Sequence, residues 1–198
     1  MNLTPFVLEA GVDEAGRGPL AGPVVVAAVI LPAKYELESL DDSKRLSAVR
    51  RELLAPQIEN QAISFTVEFV EVDEIDRVNI LQATLNGMQR AVENLDPMPE
   101  LAMIDGNRAP RLSCEVKTVI GGDRLIASIS AASILAKVYR DRFMISMHRL
   151  YPAYGFDRHK GYPTAHHLER LRTLGPCPIH RKSFAPVRRL ITKCQSLI

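Results

Sequence analysis

Residues 11–19 read Gly11-Val12-Asp13-Glu14-Ala15-Gly16-Arg17-Gly18-Pro19 and separate two short apolar segments. The segment before them, Phe6 to Val12, and the segment after them, Val24 to Leu31, both predict β-strands. The second is almost entirely β-branched or small and apolar, which is typical of a strand buried on both faces. Glycine and proline between the segments indicate turns. We therefore expect strand, turn and strand, with Asp13 and Glu14 at the end of the first strand.

The rest of the chain predicts further strands and helices. Ile63 to Val70 alternates between apolar and polar residues, which predicts a strand, and the short apolar runs 101–104 and 115–120 predict two more. An apolar stripe that recurs every three or four residues from Ile75 to Leu95 predicts one amphipathic helix. Three further helices are expected over residues 43–60, 130–150 and 164–174. This order favours a mixed α/β sheet with a helical C-terminal part.

The composition is ordinary for a globular protein, but the charge is unevenly distributed. The 198 residues are 46% apolar and 24% charged, which excludes a disordered polar chain, a collagen-like repeat and a disulfide scaffold. The net charge of +2 conceals −8 in residues 1–134 (12 basic, 20 acidic) and +10 in residues 135–198 (13 basic, 3 acidic). All five histidines lie in the second part. The split is compatible with a segment that contacts a polyanion, or simply with two solvated surfaces of opposite charge.

Cysteine content and hydropathy predict the compartment. The three cysteines, Cys114, Cys177 and Cys194, are odd in number and far apart, which indicates neither a disulfide framework nor a zinc ribbon. The longest apolar run, Leu20 to Leu31, contains Pro23 and is shorter than the ~20 residues that span a bilayer. It also starts too far into the chain for a signal peptide. We therefore expect a soluble cytoplasmic protein without a membrane partner.

Acidic residues follow three of the predicted strands. Asp13 and Glu14 follow the first strand, and Asp105 and Asp123 follow two later ones, each with glycine nearby. Because sites in open α/β sheets lie outside the carboxyl ends of strands, the four carboxylates are candidates for one site. Carboxylates brought together repel one another unless they are neutralised, and hard oxygen ligands suit Mg²⁺ or Mn²⁺. Two such ions can catalyse phosphodiester hydrolysis, although any one Asp-Gly pair is also typical of an ordinary turn.

The motifs together resemble one family over about residues 9–190. Residues 11–19 resemble the opening signature of ribonuclease HII, and the later motifs follow in that family's order. These motifs are Asp42-Ser43-Lys44, Ile104-Asp105-Gly106-Asn107, Gly122-Asp123, Ser130-Ala131-Ala132-Ser133-Ile134-Leu135-Ala136-Lys137-Val138, Tyr154-Gly155-Phe156, His159-Lys160-Gly161-Tyr162-Pro163-Thr164 and His180-Arg181-Lys182-Ser183-Phe184. The sister type, ribonuclease HIII, usually has an extra N-terminal domain. Only ten residues precede Gly11, so type HII is favoured.

The resemblance implies a fold and an activity. The fold is α/β, an RNase H-like mixed five-stranded sheet flanked by helices, with residues 1–150 as the catalytic core and 151–198 as a helical C-terminal extension of the same domain. The implied activity is hydrolysis of the RNA strand of RNA–DNA hybrids and cleavage 5′ to single ribonucleotides embedded in duplex DNA, leaving 3′-hydroxyl and 5′-phosphate ends. Asp13, Glu14, Asp105 and Asp123 would be the catalytic carboxylates and the ligands of Mg²⁺ or Mn²⁺.

Substrate-binding residues are also implied by the resemblance. Gly16, Arg17 and Gly18 would read the ribose 2′-hydroxyl, which distinguishes RNA from DNA. Tyr162 would stack on the neighbouring deoxyribose, and Lys44 and Lys137 would contact the phosphate backbone. Without the resemblance, a plain turn, a half-buried core tyrosine and solvated lysines would explain these residues.

Several further residues allow two interpretations. Ser128, Ser130 and Ser133 lie near the start of a predicted helix, where hydroxyls suit phosphate binding or helix capping equally. We expect Arg140 to pair with an acid, and the histidines to lie at the surface or near phosphate, with His159-Lys160 touching nucleic acid. The tail, residues 194–198, faintly resembles a sliding-clamp-binding peptide, although frayed ends are commoner.

Two other functions are compatible with the sequence. A non-catalytic nucleic-acid-binding module would use the +10 segment and bind with strong salt dependence, but the clustered acids would repel its phosphates. A junction resolvase of the same fold would cleave without discriminating ribose. The favoured function is the enzyme, acting as a monomer on RNA–DNA hybrids and on duplex DNA that contains ribonucleotides.

Overall fold

The computed structural model of the chain describes residues 7–37, 40 and 46–195. Its strands are β1 (Glu9–Ala15), β2 (Val24–Ile30), β3 (Ser64–Val70), β4 (Leu101–Asp105) and β5 (Glu115–Val119). They form one sheet in the order β3-β2-β1-β4-β5. β2 pairs antiparallel with both β1 and β3, whereas β4 pairs parallel with both β1 and β5. The predicted mixed five-stranded sheet is therefore confirmed, with β1 at its centre.

Helices account for most of the remaining described chain, and one prediction about them is wrong. They are α1 (Ala48–Gln61), α2 (Val72–Val78), α3 (Ile80–Glu93), α4 (Ala127–Leu150), α5 (Phe156–His159), α6 (Ala165–Leu174) and α7 (Ala185–Gln195). The single helix predicted from the apolar stripe is in fact α2 and α3. Asn79 separates them with a φ of 72°, and its side chain accepts the first amides of α3, from Leu81 and Gln82. An apolar stripe continues across such a break because both helices pack against the same core.

The core lies on both faces of the sheet. Every residue of β2 is buried, as predicted for a strand covered on both sides. On one face Val26 and Ala28 pack with apolar residues of α2 and α3. On the other face Ala27 and Val29 pack with apolar residues of α1 and α4. None of the helices in the described residues is both long and apolar enough to cross a membrane.

The first turn of α4 lies directly against β1. A side chain at Gly11 would place its Cβ 2.0 Å from the carbonyl carbon of Ser128 and 2.1 Å from the amide nitrogen of Ile129. Only glycine allows this approach, because both neighbours are backbone atoms that cannot move aside. The contact fixes α4 beside the strand that carries Asp13 and Glu14.

The C-terminal part contacts the chain between β1 and β2. Ala21 forms an isolated antiparallel bridge with His180, and the Leu20 amide donates to the Gly161 carbonyl at 2.8 Å. Leu20 also packs with Leu171 of α6 and Val187 of α7. These contacts place the C-terminal helices close to the turn that follows Asp13 and Glu14. The division into residues 1–150 and 151–198 within one domain stays a prediction.

Candidate active site

The acidic residues meet at one edge of the sheet. Asp13 and Glu14 are near the end of strand β1, and Asp105 is the last residue of β4. Asp123 lies in a short 3₁₀ turn, Gly122–Arg124, that follows β5. Because β1, β4 and β5 run parallel and side by side, their carboxyl ends share this edge. Sites in α/β sheets form at such edges.

A cleft of about 470 Å³ opens at this edge. Its described lining includes three of the four candidate carboxylates, Asp13, Glu14 and Asp105. Asp123 is absent from that lining, because its side chain is only 1% exposed. It follows Gly122, whose amide donates a 2.7 Å hydrogen bond to Asp105 Oδ1. The structure thus brings three carboxylates into one cleft and places the fourth, buried, in the turn that holds Asp105.

Asp13 and Glu14 reach the same cleft although successive residues of a regular strand face opposite sides. β1 ends one residue later, at Ala15, and Gly16 then turns the chain with a φ of +97°. The Asp13 side chain is buried and its Oδ1 accepts the Glu14 amide at 2.7 Å. The Glu14 carboxylate is partly exposed and pairs with Arg17 at 3.2 Å. The predicted end of the strand therefore permits both carboxylates to face one site.

Negative charge accumulates around Asp13. Burial, and then repulsion by Glu14 and Asp105, raise the pKa of Asp13 well above its usual range, while hydrogen bonds from the Ser133 hydroxyl and the Glu14 amide oppose the rise. A divalent cation would relieve this repulsion, and carboxylate oxygens are the ligands that Mg²⁺ and Mn²⁺ prefer. Within residues 7–37, 40 and 46–195, no group of three or more Asp, Glu, His or Cys side chains is arranged so that it could hold a metal ion. The carboxylate oxygens of the cleft are thus of the type that binds a hard cation, and the Glu14 carboxylate is held in place by Arg17.

Basic residues lie in the same cleft. Lys137 lines it and its Nζ lies 2.7 Å from Asp141 Oδ1, so part of its charge is already balanced. Burial lowers the pKa of Lys137. Arg51, in the first turn of α1, also lines the cleft and was not anticipated, since nothing in its helical pattern distinguishes it from surface arginines. Lys44 lies outside the described residues, so its predicted phosphate contact stays a prediction.

Gly16, Arg17, Gly18 and Tyr162 line the cleft beside the carboxylates. Tyr162 is 42% exposed, so its ring is not enclosed in the core. A Cβ on Gly18 would lie 3.7 Å from Tyr162 Cε1, so the turn and the ring are neighbours. The structure therefore groups the residues for which the resemblance implied contacts to the ribose and to the neighbouring deoxyribose.

The serines near the start of α4 differ in their contacts. Ser128 Oγ donates to Glu9 Oε1 at 3.1 Å, whereas Ser133 lines the cleft and hydrogen-bonds Asp13. Of these two, only Ser133 is placed at the candidate site.

The expectation that Arg140 pairs with an acid is wrong. Its side chain is fully buried, and its guanidinium donates to the carbonyls of Pro23, Lys160 and Ala21 at 3.0–3.1 Å. A guanidinium carries five N–H donors, so several carbonyl dipoles can replace a carboxylate as its partner. Arg181 is buried in the same way. At least two positively charged side chains of the basic segment are thus buried and bind backbone carbonyls, and they do not belong to an exposed surface that could contact nucleic acid.

The expected surface position is also wrong for three histidines. His159, His167 and His180 are buried, and burial lowers the pKa of His167 and of His180 to about 4. The Cys177 amide donates to His180 Nδ1, His180 Nε2 lies 3.1 Å from His167 Nε2, and His167 Nδ1 lies 2.9 Å from the Tyr162 carbonyl. Neutral imidazole rings can form all of these hydrogen bonds, with His180 Nε2 donating to His167 Nε2 and His167 Nδ1 donating to the Tyr162 carbonyl. The sequence carries no sign of these partners, which come from separate turns.

Fold and site together define a class of protein. A mixed sheet in the order β3-β2-β1-β4-β5, with carboxylates at the shared ends of its parallel strands, is the architecture of RNase H-like nucleases. The family model of ribonuclease HII matches residues 10–187. A ribonuclease HII from Bordetella avium (strain 197N) is 61% identical over 179 residues, which cover 90% of this chain and 89% of the relative. The chain belongs to the ribonuclease HII family.

Solved structures share the fold. The ribonuclease H2 from Pyrococcus horikoshii OT3 superposes with a TM-score of 0.81 at 26% identity and covers 94% of this chain and 98% of its own. RNase HII from Archaeoglobus fulgidus, solved in a complex with PCNA, gives 0.73 at 26% identity, with 92% and 96% covered. Bst-RNase HIII in complex with Mn²⁺ gives 0.78 at 20% identity, with 96% and 71% covered. The chain is thus a hydrolase of the family that cleaves RNA in RNA–DNA hybrids, and metal dependence is general in this family.

Proposed function

We propose that the chain hydrolyses the RNA strand of RNA–DNA hybrids and cuts 5′ to single ribonucleotides embedded in duplex DNA, leaving 3′-hydroxyl and 5′-phosphate ends. The observation that carries the proposal is the composition of one cleft. Asp13, Glu14 and Asp105 line it together with the turn Gly16–Gly18 and the exposed ring of Tyr162. Groups suited to hydrolysis and groups suited to recognising a sugar therefore lie side by side.

The carboxylates would hold Mg²⁺ or Mn²⁺. Asp13, Glu14 and Asp105 would supply the ligands, and Asp123 would complete the site from the turn after β5. When bound, two such ions activate a water and stabilise the 3′-oxygen leaving group. The elevated pKa of Asp13, caused by burial and by its acidic neighbours, supports this role because a cation would restore the ionised form. Ser133 would orient Asp13 through its hydroxyl.

Ribose recognition would fall to the turn after β1. The 2′-hydroxyl both donates and accepts hydrogen bonds, so closely approaching backbone amides and carbonyls can read it. Both Gly16 and Gly18 line the cleft, and Gly18 permits that approach because it has no side chain between its backbone and the Tyr162 ring. Gly16 instead allows the turn itself, since a side chain there would meet the buried Arg140. Tyr162 would stack on the next deoxyribose, whose bare face tolerates a ring that an added hydroxyl would hinder. The neighbouring positions of Gly18 and Tyr162 support recognition of both sugars across one junction.

Binding of the phosphate backbone would use cations that border the cleft. Lys137 and Arg51 line it, and Lys44 is proposed as a further contact from the matched motif. Lys137 would act as a point charge that is partly neutralised by the Asp141 carboxylate, 2.7 Å from its Nζ.

The compartment and the partners are proposed from composition and from one relative's complex. The protein would act in the cytoplasm, since its cysteines suggest no disulfide framework. It would act as a monomer, since 198 residues are enough to form a stable core. A sliding clamp is a possible partner, supported by the PCNA complex of the Archaeoglobus fulgidus relative. The peptide-like tail, residues 194–198, extends beyond the described chain at 196–198, so the structure adds nothing to this prediction.

The experiment is cleavage of a labelled duplex with one embedded ribonucleotide, mapped at nucleotide resolution with Mg²⁺ and with a chelator. A matched all-DNA duplex separates this activity from that of a junction resolvase. The proposal predicts a metal-dependent cut on the 5′ side of the ribonucleotide and no cut in the all-DNA duplex. Cuts on the 3′ side, or cleavage that survives the chelator, would contradict it.

A further inference from the structure

Arg181 holds the turn after β1 from inside the protein. Its side chain is fully buried, and its guanidinium donates to four carbonyl oxygens. Nη2 contacts the Gly16 carbonyl at 2.6 Å, and Nη1 contacts those of Arg17 and Pro19 at 3.0 and 2.8 Å. Nε contacts the Gly22 carbonyl at 2.9 Å. All four acceptors lie between β1 and β2, in the segment that borders the candidate active site.

The direction of these carbonyls determines where the amides point. A peptide group is planar and trans, so the N–H of each residue points opposite to the carbonyl of the residue before it. The Gly16 and Arg17 carbonyls face Arg181, and therefore the Arg17 and Gly18 amides are directed away from it. Both residues line the cleft. Arg181 thus turns two backbone donors towards the side on which a substrate would lie.

Arginine is the side chain suited to this task. Its planar fork offers five N–H donors in fixed directions, whereas lysine offers three on a flexible stem. The Arg181 guanidinium also lies 5.0 Å from the centre of the Phe184 ring, which restricts its position further. Four carbonyls are therefore fixed at once by a residue from the C-terminal segment, far from them in sequence.

We propose that Arg181 is a positioning residue that sets the discrimination of the 2′-hydroxyl by presenting the Arg17 and Gly18 amides to the ribose. The inference rests on the proposed role of Gly16–Gly18 in reading that hydroxyl. Preorganised donors lose their effect when they must be oriented anew in each complex. Loss of the Arg181 contacts should therefore weaken the preference for ribose more than it weakens hydrolysis as such.

The test compares two substrates across matched variants of the full chain. One duplex carries a single ribonucleotide, and the other carries a 2′-fluoro nucleotide at the same position. Carbon-bound fluorine accepts hydrogen bonds from amides far more weakly than a hydroxyl oxygen does. The variants are Arg181→Lys and Arg181→Gln, with Val187→Ala as the control. Val187 is buried beside Leu20 and Leu171, so its truncation loosens the same region without removing any of the four hydrogen bonds that Arg181 makes. The quantity measured is the ratio of kcat/KM for hydroxyl over fluoro.

We expect both Arg181 variants to lower this ratio by roughly tenfold or more, with Lys retaining more of it than Gln. Val187→Ala should lower the melting temperature and leave the ratio at the wild-type value. A wild-type ratio in folded Arg181 variants would overturn the inference and leave the proposed function standing. A wild-type enzyme that shows no preference for the hydroxyl would instead overturn the proposed reading of ribose by Gly16–Gly18, and this inference with it.

A second measurement applies if the Arg181 variants do not fold. Amide resonances of nitrogen-15-labelled wild-type protein are followed, with a chelator present, as each duplex is added. The Arg17 and Gly18 resonances should shift with the ribonucleotide duplex and far less with the all-DNA duplex. Equal shifts with both duplexes, or no shift on binding, would refute the orientation assigned to these amides.

Discussion

Substitution of Gly16 by alanine tests how the turn beside the carboxylates is built. Gly16 has a φ of +97°, which residues with a side chain rarely adopt. Its new Cβ would lie 1.9 Å from Nε and 2.4 Å from Cδ of Arg140. Arg140 is fully buried and holds three backbone carbonyls, so it cannot move aside freely. We therefore expect Gly16→Ala to destabilise the whole protein.

The magnitude follows from these two contributions. A side chain in this backbone region costs about 1–3 kcal/mol. If displacement of Arg140 breaks one of its three hydrogen bonds, the loss is about 1.5–3 kcal/mol, as for bonds made by charged groups. The sum, about 2.5–6 kcal/mol, is a large part of the 5–15 kcal/mol that is typical of a folded domain. Gly18→Ala is the matched control, because its Cβ would meet only Tyr162 Cε1, at 3.7 Å.

The assay is urea unfolding at equilibrium, followed by circular dichroism, with a chelator present. For Gly16→Ala we expect the midpoint to fall by roughly 1–3 M, given typical denaturant slopes. Gly18→Ala should stay within about 1 kcal/mol of the wild type, yet cleave an embedded ribonucleotide more slowly because its methyl group enters the cleft. A Gly16→Ala midpoint equal to that of Gly18→Ala would refute the reasoning about Arg140 and the turn.

Three further predictions concern charge and recognition. Because the pKa of Asp13 is raised, the metal-free wild-type protein should lose stability relative to Asp13→Asn as the pH rises from about 4 towards neutrality. A difference in unfolding free energy between the two proteins that stays constant with pH would contradict this. The imidazoles of His167 and His180, with pKa lowered to about 4, should stay neutral in an NMR titration at about pH 5.5, where ordinary histidines are mostly charged. Tyr162→Ala should slow cleavage at a single ribonucleotide by about 5–150-fold, equivalent to about 1–3 kcal/mol of lost stacking, and an unchanged rate would remove Tyr162 from substrate binding.

Much of the fold could be predicted because apolar patterning reports burial directly. The continuous apolar run of β2 indicated a strand covered on both faces, and it is one. The acids at the ends of predicted strands suggested a common edge, and the parallel pairing of β1 with β4 brings Asp13 and Asp105 into one cleft. Periodicity failed at Asn79, where a positive φ breaks the helix without interrupting its apolar stripe.

The polar interior could not be predicted, because its partners come from distant segments. Arg140 and Arg181 are indistinguishable in sequence from surface cations, and their partners are backbone carbonyls, which every residue has. His167 and His180 meet only through the packing of separate turns. Arg51 reaches the cleft from α1, which patterning placed as a helix but not against the site. The basic segment therefore exposes less positive charge to a possible nucleic-acid ligand than its net charge suggested.

Asp13→Asn tests most directly whether the carboxylate cleft performs the hydrolysis. The control is Asp73→Asn, the same chemical change at an exposed position of α2. The measurement is single-turnover cleavage and equilibrium binding of the duplex with one ribonucleotide, in Mg²⁺. We predict a loss of cleavage of roughly a thousandfold or more in Asp13→Asn, from several kcal/mol of lost metal stabilisation, with binding equal or tighter because a charge that repels phosphate is gone. Asp73→Asn should cleave like the wild type. Undiminished cleavage by Asp13→Asn would contradict the central claim.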